Sequence, residues 1–156
     1  MNMQTQRRQF NPRMAGMGQG ANGVMFEDFY VYQATFLPLA ANGTGTDNIN
    51  IQADSDFVIQ KMTYAANIAN AIQTDSSRVL PLVTVQITDS GSGRDMFAES
   101  VPITAVMGDG NLPFILPKPK LYASRSSIII NVSNLTASAY NLYINLIGYK
   151  VFRKGL

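Results

Sequence analysis

Tyr140-Asn141-Leu142-Tyr143-Ile144-Asn145-Leu146-Ile147-Gly148-Tyr149-Lys150-Val151-Phe152 is the longest run in the chain that reads without interruption as β-strand. Leu142, Ile144 and Leu146 fall on one side of an extended backbone, and Tyr143, Asn145 and Tyr149 on the other, because strand side chains alternate. No proline confines the run to a sheet edge. It is therefore expected to be a central strand with Leu142, Ile144 and Leu146 in the core. Gly148 marks a bulge or a close approach of another backbone. The basic end, Lys150, Arg153 and Lys154, is expected to project from one pole.

Working back from that run, the same two-residue period recurs. Ser127–Val132 places Ile128, Ile130 and Val132 on one face. Leu82–Thr88 sets Val83, Val85 and Ile87 inward and Thr84, Gln86 and Thr88 outward. Asn48–Gln52 alternates, and Phe57–Tyr64 and Phe29–Leu37 are rich in aromatic and β-branched residues. Asn42-Gly43 with Thr44-Gly45, Asp54-Ser55-Asp56, Asp89–Gly93 and Gly108–Asn111 read as turns. Met96–Val106 reads as a weak strand broken at Pro102. Leu112–Pro119, with three prolines, reads as an extended edge or crossover. Residues 65–78 are the one helical-looking stretch and are expected to form a loop with a helical turn. About eight strands at this spacing predict an all-β, jelly-roll-like sandwich in preference to an immunoglobulin-like one.

Residues 1–25 stand apart. They hold Arg7, Arg8 and Arg13 without an acid, together with Phe10, Met14 and Met17, and show no apolar period. They are expected to form an extended N-terminal arm, with residues 26–156 as the sandwich domain. Arg7, Arg8, Phe10, Arg13, Met14 and Met17, with Lys150, Arg153 and Lys154, are the expected partner-binding residues. Methionine packs adaptably on irregular apolar surfaces, and the arginines suit an acidic protein groove. Three arginines beside a phenylalanine also suit nucleic acid, but protein docking is preferred as the primary role. Gly18-Gln19-Gly20-Ala21-Asn22-Gly23 matches the dinucleotide fingerprint G-x-G-x-x-G, yet no strand precedes it and no helix follows. It reads as a hinge between arm and body.

Composition narrows the function classes. The 156 residues include no histidine, cysteine or tryptophan. That removes the usual acid–base residue, the usual thiol nucleophile and the commonest metal ligands. Asp54 and Asp56, with Asp47, read as turn aspartates ahead of a calcium site. Asp89 and Asp95 flank a Gly/Ser hairpin with nothing to separate their pKa values. No G-x-S-x-G elbow is present. The expectation is no enzyme, no cofactor and no metal. Charged residues are only 14% of the chain, against roughly 25% in an ordinary soluble protein. A low charge density suits a subunit held against neighbours, and a homo-oligomer, dimer or trimer, is expected. The net charge of +2 is uneven, with both termini basic and residues 26–149 acidic. No stretch approaches the roughly 18 apolar residues of a membrane helix, and no secretory signal is read. The sequons at Asn42, Asn131 and Asn134 read as chance matches.

The arm, Phe57–Thr63, Leu112-Pro113, Leu116-Pro117 and the closing Leu142–Phe152 together resemble small structural proteins of tailed bacteriophages, closest in style to capsid decoration (cement) proteins. The resemblance covers most of the chain but rests on style, with no signature positions, so no residue role is carried over. It implies a jelly-roll-like sandwich bound to the major capsid protein or other virion proteins, located in the virion and made in the host cytoplasm. A fibre, collar or adsorption module that holds a glycan or receptor on a face bearing Tyr30, Tyr32, Tyr143 and Tyr149 is the alternative, as is a head–tail connector.

Overall fold

The computed structural model describes residues 25–70 and 79–153. They form nine strands and one helical turn: β1 Met25–Leu39, β2 Thr44–Asn50, β3 Ser55–Ile68, β4 Val83–Asp89, β5 Arg94–Asp95, β6 Val101–Pro102, α1 Ile103–Val106, β7 Phe114–Tyr122, β8 Ser127–Asn134 and β9 Tyr140–Arg153. One sheet has the order β1-β9-β3-β7; the other has β2-β8-β4-β5, with β6 also on β4. All the named strand pairs are antiparallel. The pairs β1–β9, β2–β8, β3–β7 and β4–β5 nest inside one another, like the rungs of one long hairpin wound into two layers. The expected all-β sandwich is thus the fold. The arm and Lys154 lie outside the described residues, except that Met25 opens β1 opposite Arg153.

The core follows from alternation. Val83, Val85, Ile87, Ile128, Ile130, Val132, Leu142, Ile144 and Leu146 are all buried and belong to one cluster between the sheets. Each such side chain removed from water stabilises the fold by about 1.5–3 kcal/mol. β9 runs between β1 and β3, which makes it a central strand as expected. β7 lies at the edge of its sheet, and Pro117 and Pro119 fall where its pairing with β3 is interrupted, between Ile115 and Lys120.

Three local expectations are corrected. Thr44 and Gly45 begin β2, and the turn is confined to residues 40–43, where Gly43 N donates to Ala40 O at 3.0 Å. A Cβ on Gly45 would lie 2.7 Å from the Phe36 ring, so that glycine lets the two sheets close at this corner. Ala65–Ile68 continue β3 instead of starting a helical loop, because Tyr140–Tyr143 of β9 supply a ready ladder. Ladder partners here outweigh the helical preference of alanine. Residues 71–78 of that expected loop lie outside the described residues. In the expected weak strand, Val101 and Pro102 pair with β4, but Ile103–Val106 coil into one helical turn. Pro102, with φ −57°, sits at its start, where a missing N–H costs nothing.

Tyr122 is fully buried, and its hydroxyl has no hydrogen-bond partner among the described residues. Burial, and then the nearby Asp89 charge, push its phenol well above the ordinary range. The sign follows. The neutral phenol is favoured in the fold, so its contribution is intact below about pH 10 and is lost as the pH climbs above that value. Tyr122→Phe should melt within about 1 kcal/mol of the parent at pH 7, since no hydrogen bond is removed. It should also lose less stability than the parent between pH 9 and pH 11. An equal alkaline loss in both proteins would contradict this account.

Candidate functional site: two unlike outer faces

The outward side chains of the two sheets differ in kind. On the second sheet, register aligns Thr44 with Ser133 and Thr84, Thr46 with Asn131 and Gln86, and Asn48 with Ile129 and Thr88. These side chains also bond to one another. Thr46 Oγ1 donates to Asn131 Oδ1 at 2.7 Å, and Ser127 Oγ to Asn50 Oδ1 at 2.8 Å. The face is polar and almost uncharged, and it satisfies much of its own hydrogen bonding.

The four-stranded sheet presents the opposite. One row crosses all four strands as Phe29, Tyr149, Val58 and Leu121. The next row is Val31, Ile147, Lys61 and Ile115. Phe29 is 76% exposed, Ile115 64% and Leu121 55%. The third row is polar: Gln33 Nε2 donates to Asn145 Oδ1 at 2.8 Å, and Asn145 Nδ2 to Thr63 Oγ1 at 3.3 Å. Two largely apolar rows, with Lys61 in the second and Val58 buried in the first, therefore form a band, closed on one side by an amide–hydroxyl ladder. Toward the start of β1 the band opens into a shallow cleft of about 380 Å³, lined by Glu27, Asp28, Phe29, Gln60, Gly148 and Tyr149. Gln60 is there because β3 carries an irregularity between Ile59 and Lys61, opposite Gly148. A second cleft, about 540 Å³, lies beside the ladder and is lined by Thr63, Tyr64, Asp109, Asn111 and Asn145 among others.

The tyrosines expected to share one binding face do not. Tyr143 and Tyr149 point outward, whereas Tyr30 and Tyr32 pack against the core from the inner side of β1. Lys150 lies with them. It is only 3% exposed, so it does not project from a pole as expected. Its ammonium stands 3.8 Å from the Tyr30 ring centre and 5.6 Å from that of Tyr32, and it donates to Gln52 Oε1. The rings' negative faces and one amide oxygen replace the water that this cation gives up. Lys150→Met keeps the apolar stem and should cost about 1 kcal/mol; Lys150→Ala also loses packing and should cost about 2 kcal/mol. A Met variant as stable as the parent in urea would show that the amine contributes nothing.

The remaining acids considered in the sequence serve turns and corners. Asp47 Oδ2 accepts from the Thr35 N–H at 3.0 Å, tying β2 to the edge of β1. Asp89 accepts from Gly91 N and from Ser92 Oγ, and Asp95 from Thr88 Oγ1. Asp56 accepts from Ser124 N. Among the described residues no group of three acidic side chains converges on one point. Asn134, one of the three sequon asparagines, is buried and donates to Ala40 O and Ser138 O, so its amide faces inward. No helix among the described residues is long and apolar enough to cross a membrane. Comparison with protein-family models, with curated proteins and with solved structures gives no match.

Proposed function

We propose that the protein is a non-enzymatic structural subunit of a virus particle: a capsid decoration protein that binds the major capsid protein lattice and stabilises it. The observation that carries this reading is the largely apolar band on one outer face, where Phe29, Val31, Ile115 and Leu121 are exposed around Tyr149, Ile147 and the buried Val58, with Lys61 in its second row. A contiguous apolar patch on a protein surface marks an interaction site. The neutral polar face on the other sheet suits the side turned to solvent. The nested strand pairs support the jelly-roll winding implied by the resemblance to phage structural proteins. In this reading the virion is the protein's location, and the partners are capsid subunits and further copies of the same chain.

The test is binding of the full-length protein to purified capsids of a virus that encodes it. Binding should saturate at a fixed number of copies per capsid. Phe29→Asp with Leu121→Asp should weaken it at least tenfold, about 1.4 kcal/mol, while thermal melting stays close to the parent, since both side chains are already exposed. Absence of capsid binding, together with a glycan-array signal removed by Asp109→Ala, would replace this reading with glycan recognition in the cleft beside Asn145.

A further inference from the structure

We propose that β1 pairs edge to edge, antiparallel across a two-fold axis, with β1 of a second copy of this chain. This rests on the reading above, in which further copies of the chain are partners, but its test needs no capsid. The first argument is which backbone groups are open. β1 lies at the end of its sheet, and among the described residues no strand pairs with its other side. The Thr35 N–H donates to Asp47 Oδ2 at 3.0 Å, so it points away from β9. Successive residues of a strand turn their N–H and C=O groups to alternate sides, and the register with β9 runs unbroken from Met25 to Phe36. The N–H and C=O groups of Glu27, Phe29, Val31 and Gln33 therefore point the same way as those of Thr35, out of the sheet. Native proteins blunt such an edge with lysine, proline or a bulge. The run from Met25 to Ala34 has none of the three.

The second argument is fit, and it selects the occupant. With the axis at Tyr30, Phe29 faces Val31 of the second copy and Glu27 faces Gln33, each pair occurring twice. Apolar meets apolar, carboxylate meets amide, and no like charges stand opposite one another. An aromatic side chain across from a β-branched one favours strand pairing. About eight backbone hydrogen bonds close these pairs. Moving the axis by one residue spoils the match. At Phe29 it sets Glu27 against Val31, and at Val31 it sets Glu27 against Thr35, whose N–H Asp47 already holds. Phe29 and Val31 also end the two rows of the largely apolar band, so pairing joins two bands into one. The chain's own leading segment is the poorer occupant. Between Gln6 and Gly23 it has no valine, isoleucine, threonine or tyrosine, and it carries Pro12, Gly16, Gly18, Gly20 and Gly23. Proline and glycine are depleted in strands.

The experiment uses the full chain, which has no cysteine, so an introduced thiol reports one contact. Glu27→Cys and Gln33→Cys are made as separate proteins, both at exposed positions. Directly paired residues are close enough for a disulfide. The parent is expected to sediment as a dimer at micromolar concentration. An oxidised equal mixture of the two variants should yield at least tenfold more disulfide-linked dimer than either variant alone. Val31→Pro, built into both, removes an outward N–H that takes no part in the β9 ladder and should lower that yield at least tenfold. Phe29→Lys, at a position already 76% exposed, should do the same, and a melting curve on each variant confirms that it is folded. A monomeric parent, an equal yield from either variant alone, or a yield that ignores the folded edge variants would each overturn the proposal. A dimer linked in this way that ignores capsids would sustain the proposal and remove the decoration role. A monomer that saturates capsids would do the reverse.

Discussion

Ile144→Ala should unfold at a clearly lower urea concentration than the parent, with a loss of roughly 2–5 kcal/mol. Ile144 is completely buried at the centre of the central strand, where β9 pairs it with Ala34 on β1 and with Tyr64 on β3. Removing its outer carbons forfeits their burial and leaves a hole. Strands paired on both sides cannot shift to close that hole without losing ladder bonds. The neighbouring change gives the contrast. Asn145 points outward and bonds to Gln33 and Thr63 in the polar row, so Asn145→Ala should cost only about 0.5–1.5 kcal/mol. Equal costs at the two positions, or a larger one at Asn145, would mean that β9 shows the core its other face.

Gly148→Ala should be at least as damaging, about 3 kcal/mol or more. A Cβ at this position would stand 1.8 Å from the carbonyl oxygen of Val58, 2.8 Å from its carbon and 3.0 Å from the Ile59 Cα. All three are backbone atoms, so no side chain can rotate to make room. β3 must move away from β9 just beside its irregularity at Gln60. Gly110→Ala is the control. Nothing lies within 4 Å of a Cβ there, and the change should fall within about 0.5 kcal/mol of the parent. A Gly148→Ala protein that melts within 1 kcal/mol of the parent would show that the two backbones are not in this contact.

These two predictions also separate what was legible in the sequence from what was not. The inward set of β4 could be read because that strand keeps a strict two-residue period, and those of β8 and β9 because Ile128, Ile130 and Val132, and Leu142, Ile144 and Leu146, recur at every second position. Gly148 could be singled out, since a glycine inside a strand implies a bulge or a close approach, and here the approach is to Val58. The charge of Lys150 argues for solvent, but its place in the alternation, two residues beyond Gly148 and four beyond Leu146, sets it on the inner side. Tyr30 and Tyr32 share the period of Ala34 and Phe36 and face inward for the same reason. The extension of β3 through Ala65–Ile68 could not be read locally, because it depends on how far β9 runs alongside. The apolar band left one trace. Leu146-Ile147 and Val31 beside its tyrosines break the apolar–polar rhythm, as strands covered on both faces do. That Phe29, Tyr149, Val58 and Leu121 form one row depends on register across four strands, which no single strand encodes.

The two edges of the four-stranded sheet have different valence. On β7, Pro117 and Pro119 have no N–H to offer an incoming strand, so that side is capped chemically. On β1 the stretch from Met25 to Ala34 carries no proline, and Asp47 takes up only the N–H of Thr35 just beyond it. Among the described residues, the β1 border is therefore the one that offers an unbroken run of N–H groups. An added strand would be met more fully there than at β7, so the sheet is lopsided in what it can take on.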